Sequence, residues 1–444
     1  MSDRVFQSRK IIIFFILVLL SRQLGARTWT VMPVGNSLTA GIIPGTSGLG
    51  DGFRGYLKDQ LGADFTFVGG DVTITAGLNG HFKTGAKIES FLPGGDKDIM
   101  QALNTYNPEI VLLHIGTNNT GDKQGPYTEK YTASYNLREL INTIGKHQSV
   151  GYILVSKIIS KLDANKIPLQ QIQEFNKEIE RMFFDNAISA KAVLVDMNSA
   201  VSYLELGIDG IHPVPSGYER MASEYTRVVQ AITNNPGDTT SPTAITIVSA
   251  EVTDQPAISL KWYTPTDQGG IVNLYELRYL VDSQINSANF AAGTIITLRR
   301  PGKNSPSSGQ ERTTITEGIL GGRTYSFAIR VYDQANNKSS ISIFNPIMTP
   351  DELPQPGIAF VDSFNNADLR GWNYDPAYQV SNGRLSNSDA GSGWGKLAIL
   401  DTIKYTPSAE FVEVGARYAP GNYNLGGLGL AMLLDTDDYR IANG

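Results

Sequence analysis

Four short stretches of the chain place residues whose chemistry fits together. Ser37 follows Gly35-Asn36, Gly69 and Gly70 close an apolar run, Asn118 sits in Gly116-Thr117-Asn118-Asn119, and Asp209 precedes His212 in Asp209-Gly210-Ile211-His212. A serine hydroxyl is a weak nucleophile until a histidine accepts its proton, and that histidine must be held in one tautomer by a carboxylate. Ser37, His212 and Asp209 can fill those three catalytic roles in acyl transfer. With two residues between them, Asp209 and His212 can lie side by side on one loop, which Pro213 stiffens just beyond the imidazole. A tetrahedral intermediate also needs donors aimed at its oxyanion. The backbone N–H of Ser37, the backbone N–H of Gly69 and the side-chain amide of Asn118 offer three. Each residue also has a plainer reading. Ser37 can cap a helix, Asn118 and Asp209 can form turns, and Gly70 competes with Gly69.

The elements that must position these groups are legible upstream of each. Apolar runs at 28–34, 65–68, 110–115, 152–155 and 192–196 read as five strands, and helical patterns alternate with them, so the expectation is a parallel sheet flanked by helices. Ile172, Phe175, Ile179 and Met182 fall at helical spacing, and a closing helix over 218–232 follows Pro215-Ser216-Gly217, with Ser216 as its cap. In open sheets of this kind ligands sit beyond the carboxyl ends of the strands. Ser37, Gly69 and Asn118 all fall there.

With these motifs in order, residues 28–232 resemble the SGNH (GDSL) hydrolase superfamily. Met32-Pro33-Val34-Gly35, Phe67-Val68-Gly69, Val111-Leu112-Leu113-His114-Ile115-Gly116-Thr117-Asn118 and Asp209-Gly210-Ile211-His212-Pro213 resemble in particular the family 3 carbohydrate esterases. The resemblance implies a flavodoxin-like three-layer α/β/α fold with a five-stranded parallel sheet. It also implies metal-independent, two-step ester hydrolysis, often of acetyl groups on plant polysaccharides such as acetylxylan. Two departures stand out. Asn36 replaces the aspartate usual before the nucleophile, and Asn119 replaces the acid of Gly-Thr-Asn-Asp, which creates the sequon Asn118-Asn119-Thr120. A glycan at Asn118 would block the pocket, so that sequon is expected to be unused. The tryptophan loop common in the subgroup is replaced by Gly80-His81-Phe82-Lys83-Thr84-Gly85.

The remaining composition narrows the field. A net charge of −6 provides no field that would gather nucleic acid. The absence of cysteine removes disulfides, thiolate metal sites and a cysteine nucleophile, and four histidines leave little material for a metal centre, so no cofactor is expected. His114 reads as a satisfied core residue, His147 as solvated, and His81 as a surface-loop residue or a site contact. Arg4, Arg9 and Lys10 ahead of an apolar run over 11–20 read as an export signal ending near residue 26, with no stable membrane insertion after its removal; a retained N-terminal anchor is the alternative.

The expected order is signal peptide 1–26, esterase domain 27–233, linker 234–241, fibronectin type III domain 242–350, linker 351–357 and a partial concanavalin-like jelly-roll 358–444. Trp262, Leu320 and Tyr325 carry the fibronectin reading, whose Asn337-Lys338-Ser339 sequon could bear a glycan. Trp372 and Trp394 mark the last segment. These later parts read as all-β sandwiches. The function expected is a secreted serine esterase acting on acetylated polysaccharide. A lipase or lysophospholipase of the same superfamily, and a catalytically inactive carbohydrate-binding or adhesion protein, are the alternatives.

Overall fold

The computed structural model describes residues 27–45, 48–163, 169–253, 257–298, 310–315 and 319–351, together with four short strands further on. The expected leader over 1–26 lies outside the described residues. Strands β1 (Trp29–Gly35), β2 (Phe65–Phe67), β4 (Ile110–His114), β5 (Tyr152–Ser156) and β6 (Ala192–Val195) form a sheet in the order β2-β1-β4-β5-β6. All its pairings are parallel, as between Val31 and Phe67 and between Gly35 and His114. A two-residue strand, β3 (His81–Phe82), adds to the five expected by pairing with the end of β1 at Val34 and Gly35. The chain leaves β1 for β2 on one side and returns to β4 on the other. The carboxyl end of β1 is therefore the topological switch point, where such sheets open a crevice.

Both faces of the sheet are covered, which explains why its strands are near-continuous apolar runs. On one face Met32, Val34, Val111, Leu113, Ile153 and Val155 pack against α3 (Ile99–Tyr106), α4 (Ala133–Gly145) and α5 (Gln170–Phe184). On the other, beside Met197 of the single turn α6 (Met197–Ala200), Val31, Ile110, Leu112 and Leu154 pack against α2 (Phe53–Leu61) and α7 (Pro215–Asn234). Between these two helices the rings of Phe53 and Tyr225 lie 5.1 Å apart. The helical stripe Ile172, Phe175, Ile179 and Met182 is wholly buried, as its spacing requires. Ser216 is not the cap of α7: Pro215 already begins the helix, where a missing N–H has no consequence, and Val214 precedes it without a capping side chain.

β6 is an edge of the parallel sheet, and the β-rich segment that follows covers it. Asn273 Nδ2 donates to the Leu194 carbonyl at 2.9 Å and Asn336 Nδ2 to the Ala192 carbonyl at 2.7 Å. Leu274 and Tyr332 join the core of the first face, with the Tyr332 ring 5.9 Å from Phe184. Edge carbonyls left open would template pairing with other chains. Residues 234–241, expected as a linker, begin with the last residue of α7 and include a buried Asp238 that accepts from Thr240 N at 2.9 Å and Gln334 Nε2 at 2.8 Å.

The β-rich segment itself contains β7 (Thr246–Val252), β8 (Ile258–Tyr263), β9 (Val272–Val281), β10 (Thr294–Ile296), β11 (Gln310–Ile315), β12 (Thr324–Asp333), β13 (Ser342–Ile343) and β14 (Ile347–Met348). One sheet runs β10-β9-β12-β13 in antiparallel pairings with β14 also on β12, and another runs β11-β8-β7. Trp262, Leu277, Tyr325 and Phe327 are buried. Asn337 Nδ2, the nitrogen a glycan would need, donates to Asp333 Oδ2 at 2.8 Å and to the Asp238 carbonyl at 3.0 Å.

Two compact units result. The first takes in residues up to Glu251, Leu260–Thr313 and Gly322–Thr349, and the second Val252–Ser259, Thr314–Gly321 and the chain from Pro350. In the second, β15 (Trp372–Tyr374) pairs antiparallel with β18 (Ala398–Leu400), and β16 (Tyr378–Ser381) with β17 (Arg384–Asn387). Apart from these strands the expected jelly-roll, with Trp394, lies outside the described residues.

Candidate active site

β1 delivers Ser37 directly into α1 (Ser37–Ala40), a single turn capped by Asn36, whose Oδ1 accepts from Leu38 N at 3.1 Å. The turn is tight: a Cβ on Gly35 would lie 2.2 Å from Thr39 Oγ1 and 2.4 Å from the His114 carbonyl oxygen, so only glycine fits there. Arg54 braces the far end of the turn from α2, donating to the Thr39 carbonyl at 2.9 Å and the Ala40 carbonyl at 3.2 Å. Burial lowers this guanidinium to about 10.

His212 arrives on a closed loop. Gly207 N donates to the His212 carbonyl at 2.8 Å and Leu206 bridges Pro213, while Gly210 holds φ +67° with its α-carbon against Leu162. Within this loop Asp209 plays both parts read for it. Its Oδ1 accepts from Ile211 N at 2.9 Å and His212 N at 3.0 Å, which fixes the turn, and its Oδ2 lies 2.8 Å from His212 Nδ1. His212 Nε2 is 2.8 Å from Ser37 Oγ. With Nδ1–H given to the carboxylate, Nε2 is the acceptor for the serine hydroxyl. Burial of Asp209 works against its charge, but the hydrogen bonds from the His212 amide, the imidazole and the Ile211 amide outweigh it, so the carboxyl sits below its usual range.

The three expected oxyanion donors follow three adjacent strands. Ser37 N–H is the first of its helix and has no intrahelical acceptor. Gly69, after β2, holds φ +138°, and a Cβ there would lie 2.1 Å from the Gly80 carbonyl oxygen. Its N–H meets no acceptor among the described residues, and its carbonyl is held by Asn79 Nδ2 at 3.0 Å. Gly70 has no such constraint, so the position that demands glycine is Gly69. Asn118 follows β4 in the 3₁₀ turn Thr117–Asn119, with Nδ2 donating one hydrogen to the Ala86 carbonyl at 2.9 Å and a second still to place.

Asn119 makes sense of its own departure from an acid. Its Nδ2 donates to Glu89 Oε2 at 3.0 Å and Asp122 Oδ2 at 2.7 Å, and its Oδ1 accepts from Ile88 N at 3.1 Å. An aspartate there would meet two carboxylates with no proton to share.

The other histidines need two corrections. His81 is not on a surface loop. It is buried on β3 with Nε2 2.8 Å from the Lys97 carbonyl oxygen, because β3 extends the sheet where a loop was expected. His114 is core but not satisfied: among the described residues neither ring nitrogen has a partner, and burial holds it near 4, hence neutral. His147 bonds Ser149 Oγ at 2.9 Å and Asn104 Oδ1 at 3.2 Å at the end of α4.

Sequence reasoning missed Arg54, Lys157 and Lys161. Lys157 is buried between Glu180 Oε1 at 2.8 Å and Asp196 Oδ1 at 2.9 Å. Lys161 reaches Thr120 Oγ1 at 3.2 Å. No local pattern marks them, since each partner lies far off in sequence. Among the described residues the acids that could gather a cation are Asp238, Asp267 and Asp333, with ligand atoms within 4.8 Å of one another. They belong to the β-rich segment and share nothing with the triad.

A doubly covered parallel sheet with this hydrogen-bonded serine, histidine and aspartate at its switch point defines a hydrolase of the SGNH type. Residues 34–220 match the GDSL-like lipase/acylhydrolase family. The chain therefore carries a GDSL hydrolase domain and is an ester-hydrolysing enzyme. A family 3 carbohydrate esterase of Clostridium thermocellum is similar at 23% identity and a TM-score of 0.37, over 48% of this chain and 100% of its own. A carbohydrate esterase family 3 structure from Talaromyces cellulolyticus is 16% identical with a TM-score of 0.37, over 47% of this chain and 99% of its own. No curated protein matches the chain.

Proposed function

We propose that this enzyme removes acetyl groups from polysaccharides outside the cell, with Ser37 as nucleophile. Ser37 Oγ attacks the ester carbonyl while His212 Nε2 takes its proton, and Asp209 steadies the imidazolium. The oxyanion is received by the N–H groups of Ser37 and Gly69 and by Asn118 Nδ2. As the tetrahedral adduct collapses, the sugar oxygen leaves with the proton from His212. Water then repeats the sequence on the acyl-enzyme, giving its proton to His212 and releasing acetate as Ser37 is restored. The line of two 2.8 Å hydrogen bonds from Ser37 through His212 to Asp209 carries the reading.

The polymeric substrate is supported by access. The Asp209 side chain is 31% exposed and His212 14%, so the end of the relay reaches solvent and is not sealed inside the core. Residues 242–350 are proposed as a fibronectin type III domain, on the strength of the buried Trp262 and Tyr325 in their antiparallel setting. Esters of longer acyl chains are the second reading, favoured by the exposed Ile43, Leu49 and Ile208, the last seated on Gly45. Acetate release from acetylated xylan, with a long-chain ester beside it and Ser37→Ala as control, decides between them. Release of acetate alone, lost in the variant, upholds the first reading, and cleavage of only the long-chain ester replaces it with the second.

A further inference from the structure

Lys161 stands where two loops of the site converge. Its Nζ donates to Thr120 Oγ1 at 3.2 Å, two residues beyond Asn118, and the next amide, Leu162 N, donates to the Gly210 carbonyl at 2.8 Å, between Asp209 and His212. The ammonium is half-buried, and its hydrogen-bond partner is a neutral hydroxyl that itself donates to the Thr117 carbonyl at 3.4 Å. Other lysines of the same domain are neutralised: Lys83 faces Asp96, Lys87 meets Asp122, and Lys97 lies 2.6 Å from Asp71. Among the described residues Lys161 has no such partner, and its burial lowers its pKa. A cation taken out of water without a counter-ion is unfavourable, so the fold holds a positive charge there that nothing in the described chain compensates.

We propose that Lys161 receives a carboxylate on the alcohol side of the ester, so that the preferred substrate is an acetylated sugar chain containing uronic acid. The placement gives the side. His212 hands its proton to the departing sugar oxygen, so the sugar lies against the loop Asp209–His212, and Lys161 adjoins that loop through Leu162. A uronate on or beside the acetylated residue supplies the missing charge and forms a charge-assisted hydrogen bond. This deepens the acetyl-polysaccharide reading and rests on it.

The test compares acetate release by the full chain from acetylated galacturonan oligosaccharides and from the same oligosaccharides with their carboxylates methyl-esterified, with phenyl acetate as a substrate that carries no sugar. The native enzyme should favour the free-acid form by about tenfold in kcat/KM, and the preference should shrink in high salt. Lys161→Gln should abolish the preference while leaving phenyl acetate turnover within about twofold, and Lys161→Arg should restore part of it. Equal turnover of the two oligosaccharides by the native enzyme, or an equal loss on all three substrates in Lys161→Gln, overturns the assignment. If phenyl acetate is cleaved but neither oligosaccharide is, the uronate assignment falls while ester hydrolysis stands. A Lys161→Gln chain that is folded yet keeps the native preference also overturns it. Acetate released from neutral acetylated xylan but from neither galacturonan rejects Lys161 alone, whereas no acetate from any polysaccharide rejects the reading beneath it.

Discussion

Ser37 Oγ and His212 Nε2 lie 2.8 Å apart although 175 residues separate them in the chain. The first stands at the end of β1 and the second on a loop closed by its own backbone, so neither loop alone sets the distance. The sheet and α7 do.

Asp209 orients His212 and stays charged, because its carboxyl lies below the usual range. Asp209→Asn should cost about 10³- to 10⁴-fold in kcat by a factor that hardly varies between pH 8 and pH 5. The two log kcat profiles should run parallel over that range. Convergence of the profiles above pH 5 would show Asp209 losing its charge there.

Asn118 contributes to the transition state more than to the resting complex if its free amide hydrogen meets the oxyanion. Asn118→Ala should lower kcat by about 100- to 1000-fold with little change in KM. A rise in KM with kcat intact would assign the side chain to substrate binding, through its tie to Ala86.

Asn119 sits between Glu89 and Asp122, so Asn119→Asp brings a third carboxylate into contact with them. The variant should melt about 5 °C lower at pH 7.5. The deficit should fade toward pH 4 as the acids share protons. A deficit independent of pH would point to packing instead of charge.

The chemistry was more legible than its surroundings. Ser37, Gly69, Asn118, Asp209 and His212 stand out because nucleophile, donor and orienting acid each occupy a strand end or a tight loop, and loops declare themselves by glycine and by Asp-x-x-His spacing. The five strands were clear for a related reason, since burial on both faces turns them into apolar runs. His81 was misplaced because a two-residue strand has no periodicity. Arg54, Lys157 and Lys161 were invisible because what makes each matter is a partner 15 to 41 residues away: Thr39 for Arg54, Glu180 for Lys157 and Thr120 for Lys161. The cover over β6 was equally hidden, as it depends on two asparagine amides meeting carbonyls 79 and 144 residues earlier.

Those two amides lead to another prediction. Replacing Asn273 and Asn336 together by alanine leaves the Leu194 and Ala192 carbonyls without their donors, at about 1–3 kcal/mol each where water cannot enter. The double variant should melt several degrees lower and aggregate more readily through β6, with kcat of the folded fraction unchanged. A native melting temperature would mean that the edge is protected by other contacts.

The crowded acids of the β-rich segment give a pH signature of their own. Burial raises Asp333 to about 6 and raises Asp267, where Asp238 adds to the effect. A folded-state pKa above the unfolded value binds extra protons in the native state. Its stabilising contribution is complete below about pH 4 and is lost as pH rises through about 6. Asp267→Asn should therefore raise the melting temperature at pH 7.5 by about 2 °C and change it less at pH 4. A larger gain at pH 4 would contradict the sign.

Whether Ser37 is an activated nucleophile is tested most directly by treating the full chain with a fluorophosphonate and mapping the adduct by peptide mass spectrometry. The geometry predicts one stoichiometric adduct on Ser37, formed far more slowly in His212→Ala. An unlabelled Ser37 in a folded chain, or an adduct on a different residue, would contradict the assignment of this site.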